Sequence, residues 1–221
     1  MIRRIAIPLL ALLTTLAATR AGGWAVITVE DVPNEFVVGQ PVTLTYSVRQ
    51  HGRTLLGGLS GRLEALGAGQ TIRATATPGP DAGRYIVAFT PPRPGTWTLT
   101  ISSGFGNNHL TLMPIPAVNA GRSVTALSAA DRGLRLFVAK GCATCHVHPD
   151  VTRSGEIKVG PDLSGRRFEA DYLRRFLAEP NIATTRGPDG FEMPDLNLAP
   201  QEIAALTAFI NGTHEASTAG Q

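Results

Sequence analysis

Lys140-Gly141-Cys142-Ala143-Thr144-Cys145-His146 holds the only two cysteines of a 221-residue chain, three positions apart, with a histidine directly after the second. Two thiols at that spacing fall on one helical turn. They can bond to two points on a single rigid ligand while the next imidazole points at its centre. Other chemistries also use paired cysteines. A local disulfide accounts for the thiols but not for the histidine. Zinc needs four ligands, and no second cysteine pair exists to complete the set. A thioredoxin-like redox pair belongs beside a parallel sheet, whereas the flanking sequence reads as helical.

The pattern therefore points to covalent attachment of one haem c. Cys142 and Cys145 would form thioethers to its two vinyl groups, and His146 would ligate the iron. A sixth ligand would have to come from Met113, Met193, His51, His109, His148 or His214. Met193 is the favoured residue. It lies in the Gly/Pro-rich stretch Arg186-Gly187-Pro188-Asp189-Gly190-Phe191-Glu192-Met193-Pro194, and a residue before proline is biased toward extended backbone. Such a loop can lay a thioether across a planar ligand. Met113 stands among strand-like sequence and reads as core filler. His148 is too close to His146 to reach the opposite face, and His214 sits near the chain end.

The surrounding helices are marked by their ends. Ser128 is placed to cap a helix over 129–140, with Leu134, Phe137 and Val138 on one face. Asp171 is placed to cap a second over 172–178, which Glu179-Pro180 ends. Pro200 opens a third that runs to Ile210, with Gly212 beyond it.

Residues 128–212 resemble a class I c-type cytochrome domain, the small helical mono-haem fold. The matching motifs are Gly133-Leu134-Arg135-Leu136-Phe137, the cysteine stretch itself, Gly160-Pro161-Asp162-Leu163, Tyr172-Leu173 and Glu179-Pro180-Asn181. Met193-Pro194 and Leu206-Thr207-Ala208-Phe209-Ile210 complete the series. The resemblance implies that the Pro161 carbonyl accepts a hydrogen bond from the other ring nitrogen of His146, a bond that raises ligand basicity. It also implies that Gly133 and Phe137 meet Phe209 where the first and last helices cross. The 147–159 stretch is variable in the family, so it implies nothing for His148. Arg166 or Arg167 could pair with a haem propionate, although an exposed arginine needs no such partner.

The front half has a different grammar. Stretches 42–48, 84–89 and 97–101 alternate apolar and polar residues, as half-buried strands do. Pro78-Gly79-Pro80, Pro91-Pro92-Arg93-Pro94-Gly95 and Gly104-Phe105-Gly106 punctuate them. Short strands at regular spacing predict an all-β immunoglobulin-like sandwich over 22–117, without an inter-sheet disulfide. A linker over 118–127, the cytochrome-like domain over 128–214 and a tail over 215–221 complete the two-domain plan. Val48-Arg49-Gln50-His51-Gly52 and 83–97 resemble the YtkA-like accessory domains of bacterial envelope proteins. His51, His109 and Met113 together could suit copper, but without a cysteine or a close histidine pair they read as structural residues. A module that docks a redox partner is the expected role of this half.

Met1 to Arg4 is positively charged, Ile5 to Ala18 is apolar, and small residues follow. That is the layout of a secretory signal peptide, with cleavage expected near Ala21. An uncleaved anchor would need about 20 apolar residues, and Arg20 interrupts any extension. The expected location is the periplasm or the outer face of the cell envelope, with at most an N-terminal membrane tether.

Composition bounds the partners. At 43% hydrophobic and 17% charged residues the chain is globular. Its net charge of +3 comes from Arg3, Arg4 and Arg20, and without them 17 basic groups face 17 acidic ones. Nothing in that balance attracts nucleic acid. The expected function is one-electron transfer between redox partner proteins through a His146/Met193-ligated haem, with no catalytic side chain. Alternatives are the electron-entry subunit of a periplasmic oxidoreductase complex, or a haem-based ligand sensor, which needs an open or labile sixth position. Oligomeric state is not legible in the chain.

Overall fold

The structure, a computed structural model, describes residues 23–151, 159–182 and 191–212. The expected N-terminal signal segment, His214, the 215–221 tail, Arg186 to Gly190 of the Met193 loop and 152–158 lie outside the described residues. In chain order the elements are β1 (Ala25–Val29), β2 (Phe36–Val37), β3 (Val42–Gln50), β4 (Thr54–Leu55), β5 (Arg62–Gly67) and β6 (Gln70–Thr75). Then come β7 (Thr77–Pro78), β8 (Arg84–Phe89), β9 (Gly95–Ser102), β10 (His109–Thr111) and β11 (Ile115–Val118). The helices are α1 (Ala129–Ala139), α2 (Ala170–Ala178) and α3 (Pro200–Gly212).

The N-terminal region is a β-sandwich. One sheet has the order β1-β3-β8-β7, with β4 on β3; the other runs β2-β11-β9-β5-β6, with β10 on β9. Read as strands A, B, E and D facing C, F and G, this is the immunoglobulin-like arrangement. Period-two patterning fills the space between the sheets. Leu63 and Ala65 of β5 point inward, as do Trp97, Leu99 and Ile101 of β9. Phe36 meets Phe89 edge-on at 5.2 Å, and Tyr46 stacks on Tyr85 at 5.4 Å. Each such buried side chain contributes about 2 kcal/mol. The strands overrun the sequence expectation at their ends, β3 reaching Gln50 and β9 starting at Gly95.

In the helical region, Ser128 caps α1 as expected, accepting from the Asp131 amide at 3.0 Å. The start of α2 differs from expectation. Glu169, not Asp171, caps it, its carboxylate accepting from the amides of Asp171 and Tyr172 at 2.8 and 3.1 Å. Asp171 falls in the first turn, where its charge suits the helix dipole. Helix α3 runs through to Gly212, two residues past the expected end. Phe168 and Asn211 tie the entry of α2 to the end of α3 through reciprocal bonds of 2.9 and 3.0 Å.

The two regions pack on each other, and their buried apolar residues form one continuous cluster. The seam is polar at its edge. Arg132 Nη1 donates to the Val32 carbonyl at 2.7 Å and to Asn34 Oδ1 at 3.0 Å, and Arg135 Nη1 donates to the Asn34 carbonyl at 3.1 Å. At its centre Lys140 is 5% exposed, paired with Glu202 at 2.9 Å and donating to the Glu30 carbonyl. Thr28 Oγ1 donates to the Lys140 carbonyl at 3.3 Å. A buried lysine needs such partners to stay charged.

Candidate functional site

The cysteine turn is built by the end of α1. Lys140 closes the helix, and Gly141 then adopts φ +79°. A β-carbon there would lie 2.5 Å from Val26 Cγ1 and 2.6 Å from the Ile27 carbonyl. Only glycine meets both demands, the left-handed backbone and the close approach of β1. A 3-10 turn, Cys142–Thr144, follows. The Cys142 carbonyl accepts from the amides of Cys145 and His146 at 3.1 and 2.9 Å, which draws both thiols and the imidazole onto one turn. Neither cysteine is in a disulfide.

A second strand of chain fixes the imidazole. The Gly160 amide donates to the Cys145 carbonyl at 3.0 Å, and the Leu163 amide donates to the Val147 carbonyl at 2.9 Å. This pairing lays Pro161 beside His146, whose Nδ1 stands 3.0 Å from the Pro161 carbonyl. A carbonyl can only accept, so the proton of the neutral ring sits on Nδ1. The Nε2 lone pair is then the one available to a metal. Gly160 lets the ring in, since a β-carbon there would lie 2.6 Å from His146 Cε1.

Cys142, Cys145, His146, Pro161 and Met193 all line one cavity of about 930 Å³. That is the size class of cofactor pockets. Apolar side chains from the three helices form much of its wall, among them Phe137, Leu173, Phe176, Leu206 and Ile210. Burial first, and then the neighbouring Cys145, push the Cys142 thiol up to about 12. At neutral pH it is therefore a protonated thiol. Arg166 lines the cavity as an exposed side chain, whereas Arg167 is exposed away from the lining. Thiols, a tautomer-fixed imidazole, a thioether and an apolar wall around one space fit a haem held through two sulphurs.

Other sequence candidates sit elsewhere. His148 is buried, 4.3 Å from the Phe209 ring and 5.6 Å from that of Phe137. It joins the α1–α3 crossing, where Phe137 and Phe209 lie 5.4 Å apart. Met113 packs against the core. His109 stands on β10 with Nδ1 2.9 Å from the Asn107 carbonyl, while His51 lines the large cavity from the opposite sheet. Among the described residues no cluster of three or more His, Cys, Asp and Glu side chains is arranged to hold a metal ion.

Sequence reasoning missed part of the wall. Trp24, Val26 and Gly52 reach the cavity from the β-sandwich, beside His51, which the sequence offers as a candidate ligand. No local pattern marks them, because they arrive there through tertiary packing alone.

Residues 130–214 match the family model for cytochrome c. No curated protein matches the chain. Among solved structures, the Lin-41 filamin domain covers 44% of this chain and 98% of its own, at 17% identity and a TM-score of 0.35. The CARDB domain of PF1109 from Pyrococcus furiosus covers 44% and 98%, at 18% identity and a TM-score of 0.29. Superoxide reductase (neelaredoxin) from Ignicoccus hospitalis covers 42% and 80%, at 13% identity and a TM-score of 0.29. Behind its β-sandwich, the chain thus carries over residues 130–214 a domain that matches cytochrome c, and this match implies a covalently bound haem c.

Proposed function

We propose that this chain is an exported mono-haem electron carrier, its iron ligated by His146 and Met193. The observation that carries this reading is that both residues line the same cavity as Cys142 and Cys145. When bound, the haem supplies one iron centre whose valence changes by a single electron. Cys142 and Cys145 would anchor it by thioethers, so that it cannot dissociate. His146, with its Nδ1 proton directed at the Pro161 carbonyl, would offer Nε2 as a strong and fixed ligand. Met193 would supply a second ligand to the iron. Met/His ligation raises the potential relative to other pairs, and the apolar wall limits water near the site. With both residues as ligands the haem would serve electron transfer alone, and no side chain would have to move a proton.

Redox partners would dock weakly at the cavity rim, through an interface small enough to release quickly. Export to the periplasm or the outer face of the envelope is supported by the charged, apolar and small-residue order of the first 21 residues. The test of the ligand set is optical. Oxidised protein should show the weak far-red charge-transfer band of sulphur ligation, and Met193→Ala should abolish it. Reduced wild type that binds carbon monoxide readily at neutral pH would instead favour a ligand sensor.

A further inference from the structure

Residues 191–199, which contain Met193, form no helix or strand. Local bonds after Met193 help to shape the segment. The Asn197 amide donates to Asp195 Oδ1 at 2.8 Å, and the Ala199 amide donates to Glu202 Oε2 at 3.0 Å. Further support comes from the β-sandwich. Trp24 stacks on Phe191, with ring centres 5.6 Å apart and planes 27° from parallel. The Arg53 guanidinium carbon stands 5.0 Å from the centre of the same ring. Phe191, two residues before Met193, is thus engaged by side chains from one end of the sandwich.

That end is itself stiff. The His51 amide donates to the Trp24 carbonyl at 2.9 Å, and the Arg53 amide donates to the Gln50 carbonyl at 3.0 Å. His51 and Gly52 take φ of +50° and +69°, which turns the chain sharply between β3 and β4. His51 stacks at a tilt on Trp24, with centroids 5.6 Å apart. A turn tied to Trp24 by backbone and by ring can hold Phe191 without yielding.

We propose that Trp24 and Arg53 are positioning residues for Met193: by clamping Phe191 they make the β-sandwich a fixed wall of the cavity that holds the thioether in place. The proposal rests on the reading of Met193 as an iron ligand. It gives the front half a task beyond docking, that of keeping the sixth ligand seated.

The test uses the full haem-loaded chain as wild type, W24A, W24F, R53A and M193A. Haem content by the alkaline pyridine spectrum should be equal in all five. In W24A and R53A the far-red band should lose more than half its intensity, the midpoint potential should fall, and the reduced protein should take up carbon monoxide. W24F, which keeps an aromatic ring, should restore the band. Arg53 lies on an exposed turn, so R53A reports even where W24A fails to fold. W24A and R53A proteins with the wild-type band and no carbon monoxide uptake would overturn the clamp while M193A still lost the band. A wild type without the band, or an M193A protein that keeps it, overturns the ligand assignment and the clamp with it.

Discussion

Gly133 lies so close to Ala205 that a β-carbon at position 133 would stand 2.1 Å from the Ala205 carbonyl oxygen and 2.5 Å from Phe209 Cβ. Helices α1 and α3 thus meet backbone to backbone, with Phe137, His148 and Phe209 stacked beside the crossing. Gly133→Ala forces the helices apart and should destabilise the protein by about 3 kcal/mol, the upper end of overpacking costs. Denaturant melts followed by circular dichroism measure this. A variant as stable as the wild type would contradict the crossing.

The seam between the regions offers a second check. Gly141→Ala meets Val26 and the Ile27 carbonyl while its backbone stays left-handed. A cost of about 2 kcal/mol is expected from strain and crowding together. Limited proteolysis should then cut between the sandwich and α1 sooner than in the wild type.

Lys140 and Glu202 make a testable pair at the same seam. Lys140→Met leaves the Glu202 carboxylate, 13% exposed, without its cation. Breaking a buried pair costs about 3 kcal/mol, while replacing both partners costs much less. The double variant K140M/E202Q should therefore be more stable than K140M alone. A double-mutant cycle with no coupling would show that the ion pair contributes nothing.

The sandwich core carries a pH signature. Burial, and then the nearby Tyr85, raise the Tyr46 hydroxyl from 10.0 to about 12. An acid with a raised folded pKa favours the folded state while it stays protonated. Its contribution is fully present below pH 10 and is lost as the pH climbs toward 12. Wild type should lose stability over that window, and Tyr46→Phe should lose less. Urea melts at the two ends of the window compare them. The Tyr46 hydroxyl has no hydrogen-bond partner among the described residues, so the phenylalanine variant should lie within about 1 kcal/mol of wild type at neutral pH.

Where the chain's own neighbours decide the outcome, the sequence was readable. The Cys142–His146 spacing, the Ser128 cap and the alternation in β3, β8 and β9 are all local signals, and each matches what the fold contains. The start of α2 misled because Glu169 and Asp171 are both acids at a helix start, and which one caps depends on where the preceding loop enters. The burial of His148 was illegible, since its partners Phe137 and Phe209 come from two helices far apart in sequence. The same holds for Trp24 and Val26 at the cavity. Their approach depends on how β1 settles against the cysteine turn, and no periodicity encodes that.

The most direct measurement is the intact mass of the full chain produced in a host with haem-attachment machinery, paired with its alkaline pyridine spectrum. The account predicts one haem added per polypeptide, with a spectrum for two thioethers, and loss of that added mass in the double variant C142A/C145A. A chain of unmodified mass with Cys142 and Cys145 joined to each other would contradict it.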